Sequence, residues 1–165
     1  MENDKELVLK IKNHDEKAFQ DLYDKYHRLF ESIAFNMLKN TEDANDVVNE
    51  TFETIYHKID THDDNKSFKY WALQILKNNC LQLLNNKKKT DDFVNNYDGA
   101  SFTNPDDSFL IESIKHVLNE EEYNVFIYHT IYDLSYMEIE EVMNISKSKA
   151  QRLFEAAKEK LKKNL

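Results

Sequence analysis

Gly99 and Pro105 are the only glycine and proline in the 165 residues, and both fall within one short stretch. Sheets use these residues at their turns, so a chain that lacks them elsewhere is read as helical. The stretch 90–107 also carries Asp91, Asp92, Asp98, Asp106 and Asp107, with Phe93, Tyr97 and Phe102 spaced along it. Such a segment reads as a flexible acidic linker. The fold class that follows is all-α: two small helical domains, 1–89 and 108–165, joined by the linker 90–107, the second a helix-turn-helix domain.

Helical periodicity locates the elements. Leu7, Val8 and Ile11 make a short helix over 6–12. Asp15 is placed to cap a long helix over 16–38 with the stripe Phe19, Leu22, Tyr23, Tyr26, Leu29, Phe30, Ile33, Ala34 and Met37. Thr41 then reads as the cap of a helix reaching Ile59, with Val47, Val48, Thr51, Phe52, Ile55, Tyr56 and Ile59 on one side and Asp46, Asn49, Glu50 and Glu53 on the other. The polar run THDDNK breaks the pattern. Ser67 reads as the cap of a fourth helix that buries Phe68, Trp71, Ala72, Ile75 and Leu76, exposes Lys69, Lys77, Asn78 and Asn79, and ends on Lys87, Lys88 and Lys89. A plain helical hairpin with solvated outer faces has the same periodicity, so pattern alone assigns these faces no task.

Beyond the linker, Phe109, Leu110, Ile114, Val117 and Leu118 give one helix. Asn119 caps the next, with Glu120, Glu121 and Glu122 in its first turn and Tyr123, Phe126, Ile127 and Ile131 as its apolar positions. A helix over 136–143, a turn at Asn144, Ile145 and Ser146, and a basic helix from Lys147 make a helix-turn-helix. Ala150, Leu153, Phe154, Ala157 and Leu161 hold the last helix to its neighbours. Lys147, Ser148, Lys149, Gln151, Arg152 and Lys158 are available to face DNA.

No catalytic constellation stands out, and the chain is not expected to be an enzyme. The six histidines are scattered; His57 and His62 have no Cys or His partner at a ligand spacing, so neither metal nor cofactor is expected. The lone Cys80 sits among apolar residues, which fits a buried thiol. A single glycine excludes a phosphate-cradling loop. No apolar run is long enough to span a bilayer and residues 1–13 do not read as a signal peptide, so a cytoplasmic protein that does not meet the membrane is expected.

The wording of the motifs goes further than their period. DANDVVNETF, followed by FKYWALQILKN, closely resembles the extracytoplasmic-function sigma factors of bacterial RNA polymerase. That family's first motif runs Ala, an acidic residue, Asp-Val-Val, Gln, Glu, Thr-Phe, and here it falls on residues 44–52. Its second falls on Phe68, Trp71, Ile75, Lys77 and Asn78. The stretch DEKAFQDLYDKYHRLF resembles the family's opening helix, through Ala18, Phe19, Leu22, Tyr23 and Tyr26. Ser135, Tyr136, Glu138, Ile139, Ile145, Ser146, Ala157 and Leu161 match its C-terminal domain. The resemblance implies a subunit that brings core RNA polymerase to promoters. Asp46, Asn49, Glu50 and Glu53 would dock on the polymerase clamp helices. Thr61, His62, Asn65, Lys66, Lys69, Tyr70, Lys77 and Asn78 would meet the minus-ten element, both as duplex and as the melted non-template strand. Lys147, Ser148, Lys149, Gln151 and Arg152 would meet the minus-thirty-five element. An anti-sigma factor is a further implied partner.

Three departures bear on the upstream contact. Leu153 and Ala156 stand where the family usually has arginine, and Glu140 stands where it has a small residue. A good bidentate contact to a base edge supplies about 1–3 kcal/mol of discrimination, and neither leucine nor alanine can make one. A weak or relaxed upstream reader is expected, its placement on DNA helped by a DNA-bound activator or guided DNA-binding protein. Charge points the same way. Residues 1–89 carry 14 basic and 16 acidic residues, net −2, and residues 90–165 carry 8 and 15, net −7. Phosphate neutralisation supplies most non-specific affinity, so the free chain should bind duplex weakly and rely on a larger basic assembly. Two other readings stay open on residues alone: a helical adaptor that does not bind DNA, and a stand-alone helix-turn-helix regulator, the latter needing a more basic domain than this one.

Overall fold

A computed structural model describes residues 3–89 and 108–164; the linker expected over 90–107 lies outside the described residues. The described elements are all helical. They are α1 (Asp4–Lys12), α2 (Glu16–Leu38), α3 (Thr41–Lys58), a 3-10 turn (Ile59–Thr61), α4 (Phe68–Lys89), α5 (Ser108–Val117), α6 (Glu120–Thr130), α7 (Tyr136–Met143) and α8 (Lys147–Asn164). They form two compact units, α1–α4 and α5–α8.

Short polar side chains set where the helices start, because each satisfies an amide that the first turn leaves without an intrahelical partner. Asp15 accepts from the Ala18 amide at 3.1 Å and Ser67 from that of Tyr70 at 3.2 Å, as expected. Asn119 and Glu122 close a reciprocal capping box, as do Ser135 and Glu138. One expected cap is displaced by a residue. Asn40, not Thr41, caps α3, accepting from the Asp43 amide at 2.9 Å. Thr41 is the first helical residue, and its hydroxyl is buried with no hydrogen-bond partner. The left-handed positions fall on His14, Lys39, Asp133 and Asn144. Three of these are side-chain types that tolerate positive φ, and Asn144 terminates α7 as the turn requires.

The first unit is built around α2, which packs on α1, α3 and α4. Leu22, Phe30 and Ile33 of α2, Ile55 of α3, and Leu73 and Leu76 of α4 are fully buried. Phe52 brings its ring within 5.1 Å of Phe30 and 4.7 Å of Tyr23. In α4 the buried set is Phe68, Ala72, Leu73, Leu76 and Cys80. Trp71 and Ile75, expected inside, are half-buried, and so are Lys69, Lys77 and Asn79, expected outside. The buried stripe is thus rotated toward Leu73 and Cys80.

In the second unit α8 packs on α5, α6 and α7. Ile114, Leu118, Val125, Tyr128, Leu134, Ile139, Ala150 and Ala157 make its core. The stripe of α5 runs through Ile111, Ile114 and Leu118, so Phe109 and Leu110, expected to pack, are 86% and 59% exposed. Ile131 follows the end of α6 and is also exposed.

Candidate functional site

Asp46, Asn49, Glu50 and Glu53 are all exposed on α3. They recur at i, i+3, i+4 and i+7, which makes them one face. The opposite face, Val47, Val48, Thr51, Phe52 and Ile55, is buried. Thr51 fastens the helix, donating to the Val47 carbonyl at 2.7 Å and accepting from the Asn79 amide at 3.1 Å. The outer face is therefore held rigidly, with three carboxylates and one amide pointing to solvent. It continues onto Tyr56, which is 55% exposed and meets Phe19 edge-on at 5.2 Å. Periodicity assigns Tyr56 to the core; its exposed placement instead adds an aromatic surface at the end of the acidic one.

The loop after α3 is folded on itself. Thr61 donates its hydroxyl to the Lys58 carbonyl at 2.6 Å. Asp63 accepts the Asn65 amide on its side chain at 3.0 Å and the Lys66 amide on its carbonyl at 2.9 Å. Thr61, Asn65 and Lys66 are exposed, and Lys69 and Tyr70 are half-buried where α4 begins. Lys77, half-buried, lies about two turns further along the same side of α4, and Asn78, exposed, is turned away from Lys69. His62 departs from this group. It is 6% exposed, its ring 4.9 Å from that of Trp71 and 5.8 Å from that of Phe68, and neither ring nitrogen has a hydrogen-bond partner. Turned inward, it plugs the loop and presents no edge to a base. At the other end of α4, Lys87 is paired with Asp43, whereas Lys88 and Lys89 are exposed.

Lys12 is the residue here that helical periodicity does not single out. Its ammonium donates to the His62 carbonyl at 2.6 Å and to the Asp64 carboxylate at 2.7 Å. The bond from Lys12 holds the Asp64 carboxyl below the usual aspartate range. No local pattern signals a contact between residues so far apart in the chain.

In the second unit Ser146 caps α8 through the Lys149 amide at 3.1 Å. Lys147, Ser148, Gln151 and Arg152 are exposed at its start. Lys149 is half-buried and 3.4 Å from the Glu121 carboxylate. Lys158 lies 3.3 Å from Glu155 and over the Phe154 ring. Glu140 reaches across the turn and accepts the Lys147 amide at 2.9 Å. Behind this face, His129 stacks on Tyr136 at 4.5 Å and donates from Nδ1 to the Leu134 carbonyl at 2.8 Å.

Among the described residues no group of three or more His, Cys, Asp or Glu is placed to hold a metal ion. Cys80 is fully buried, and burial pushes its thiol up to about 12. No helix among the described residues is long and apolar enough to cross a membrane.

The chain is similar to known proteins in sequence and in fold. Residues 22–90 match the family model of sigma-70 region 2. The chain is 25% identical over 179 residues to the ECF RNA polymerase sigma factor SigW of Bacillus subtilis (strain 168), covering 98% of this chain and 96% of that protein. Its fold is similar to that of CnrH, solved in complex with the cytosolic domain of CnrY, with a TM-score of 0.57 at 20% identity over 96% of this chain and 94% of that one.

Proposed function

We propose a division of labour between the two units of this chain, which belongs to the extracytoplasmic-function sigma factors and serves transcription initiation as a non-enzymatic, DNA-binding subunit. Residues 1–89 dock on core RNA polymerase and open the minus-ten element, and residues 108–165 contact the upstream element. The observation that carries this reading is the exposed face of Asp46, Asn49, Glu50 and Glu53, backed by a fully buried stripe. A fixed acidic face steers a basic partner and sets its register. The polymerase clamp helices are that partner.

Strand capture follows from the loop beside it. Thr61, Asn65 and Lys66 project outward, next to Lys69 and Tyr70. Hydrogen bonding and stacking at such a surface hold a base that has left the duplex. Lys77, Asn78, Lys88 and Lys89 continue the contact along α4 to phosphates and duplex edges. His62 supports the loop from inside and is withdrawn from the base-contacting set.

The second unit reads the upstream element weakly. Lys147, Ser148, Gln151 and Arg152 are its exposed contacts, and Lys149 joins them by leaving Glu121. Against them stand Leu153 and Ala156 in place of arginines, and the Glu140 carboxylate held at the start of α8. A DNA-bound activator or guided DNA-binding protein supplies part of the placement. The likeness to CnrH, solved with the cytosolic domain of CnrY, supports a further protein partner of the anti-sigma kind. The chain works in the cytoplasm, where polymerase and promoter meet.

The test is retention of core RNA polymerase by the tagged full chain beside Glu50→Lys and Glu53→Lys. Wild type retains core and the charge-reversed chains do not. Equal retention by all three would overturn docking through α3, and no retention by the wild type would overturn the polymerase-subunit reading. A sharp upstream footprint, as tight as the downstream one, would overturn weak upstream reading.

A further inference from the structure

We propose that Lys12, in the last turn of α1, is a positioning residue for strand capture: it clamps the loop after α3 and cancels the charge of Asp64 where phosphates pass. This rests on the reading above, in which that loop receives the melted strand.

The loop has little else to hold it. Its own hydrogen bonds are local turns within residues 58–66. Two side chains anchor it inward, Ile59 and the His62 ring against Trp71 and Phe68, and neither makes a polar contact. A buried imidazole with both nitrogens unpaired forfeits its hydration without compensation, so ring burial alone is a poor clamp. Lys12 supplies the missing polar tie. A single ammonium donates to the main chain of His62 at 2.6 Å and to Asp64 two residues on at 2.7 Å. The pair is partly shielded, with side chains 19% and 38% exposed, so water weakens it less than a surface pair. Because α1 packs on both the 3-10 turn and α4, the tie fixes the loop relative to the helix that carries Lys69 and Tyr70.

Charge gives Lys12 a second role. Asp63 and Asp64 sit between Thr61 and Asn65, in a region that must accept a polyanion. Unpaired, the Asp64 carboxylate repels phosphate; bonded to an ammonium, it does not. Both effects require a cation at residue 12 that reaches two acceptors, which arginine also provides.

The experiment uses holoenzyme reconstituted from core polymerase and the full chain. The probe is forked DNA, premelted over a promoter mapped from transcripts that the holoenzyme initiates. Lys12→Met should retain core polymerase as wild type does and bind the fork about tenfold more weakly, the scale of removing one charge-assisted hydrogen-bonded tie. Lys12→Arg should restore most of the affinity. Adding Asp64→Asn to Lys12→Met should recover part of it, with the gain largest at low salt, because removing the carboxylate removes the repulsion that Lys12 had cancelled. The salt-dependent recovery is the readout that a merely structural lysine would not give. Fork binding by Lys12→Met equal to wild type would overturn the proposal, as would a fall in core retention in step with the fall in fork binding. The underlying reading fails separately: Asn65→Ala and Lys66→Ala would then leave fork binding unchanged in an otherwise wild-type chain.

Discussion

The Glu140 carboxylate accepts the backbone N–H of Lys147 at 2.9 Å, bridging the turn between α7 and α8. This amide belongs to the first residue of α8 and has no partner within the helix. A glutamate where the family favours a small residue therefore has a local structural task. It also places a negative charge at the start of α8, the helix proposed to face DNA. The two effects separate by substitution. Glu140→Ala should speed hydrogen exchange at the Lys147 amide, by an amount matching the removal of a cap, about 1 kcal/mol. Glu140→Gln keeps an acceptor and should leave exchange near wild type while tightening duplex binding by the holoenzyme. Tighter binding by Glu140→Gln without slower or faster exchange is the result that assigns the charge, not the cap, to DNA discrimination.

Leu73 is fully buried in α4, between the stripe positions that helical periodicity assigns to the core. Leu73→Ala should destabilise the first unit by about 2–5 kcal/mol, the cost of reduced burial plus a residual cavity. Ile75→Ala, at a half-buried position, should cost clearly less. Denaturant unfolding of the two variants, followed by the fluorescence of Trp71, measures the difference. An equal cost at both sites would contradict the rotated stripe.

What can be read from the chain and what cannot divides along the range of the forces involved. Caps such as Asp15, Ser67 and Asn119 act over three residues, and each is found where the sequence places it. Asn144 adopts the left-handed turn for the same reason, a property of its own side chain and backbone. The outer face of α3 is legible because its buried face is rich in β-branched and aromatic residues. Stripe direction is harder. Ile111 and Leu110 both fit a helical period through Ile114, and only the neighbouring helices decide that Ile111 turns inward. His62 and Lys12 are beyond reach, because burial of a polar ring and a tie across 50 residues are set by tertiary packing alone.

Cys80 supplies a probe of that packing. Its thiol is fully buried, and burial pushes it up to about 12, well above the pH at which a free cysteine forms thiolate. The native chain should therefore resist alkylation at neutral pH and react fully in denaturant. Since thiolate forms only when α4 opens, the alkylation rate should follow the opening equilibrium and rise in Leu73→Ala. A native thiol that reacts as fast as a free cysteine would place Cys80 at the surface.

Glu122 ties the acid stability of the second unit to one buried carboxylate. Burial pushes its pKa up, but hydrogen bonds from Lys160 at 2.7 Å and from the Asn119 amide at 3.0 Å outweigh burial and hold it below the ordinary glutamate value of 4.5. With a depressed folded pKa, the stability it contributes is fully present above pH 4.5 and is lost as pH falls through the folded value. Lys160→Met removes one of the two bonds without touching the capping box. It should therefore raise the pKa of Glu122 and move acid unfolding of α6 and α8 to higher pH. Glu122→Gln should lower stability at neutral pH and flatten the pH dependence in this range, because the group no longer titrates. Amide exchange in α6 and α8, followed as pH is lowered for wild type and both variants, separates the cases. An acid transition that Lys160→Met leaves unmoved would show that Glu122 is held by its cap alone, and that the contact from α8 adds nothing to the fold.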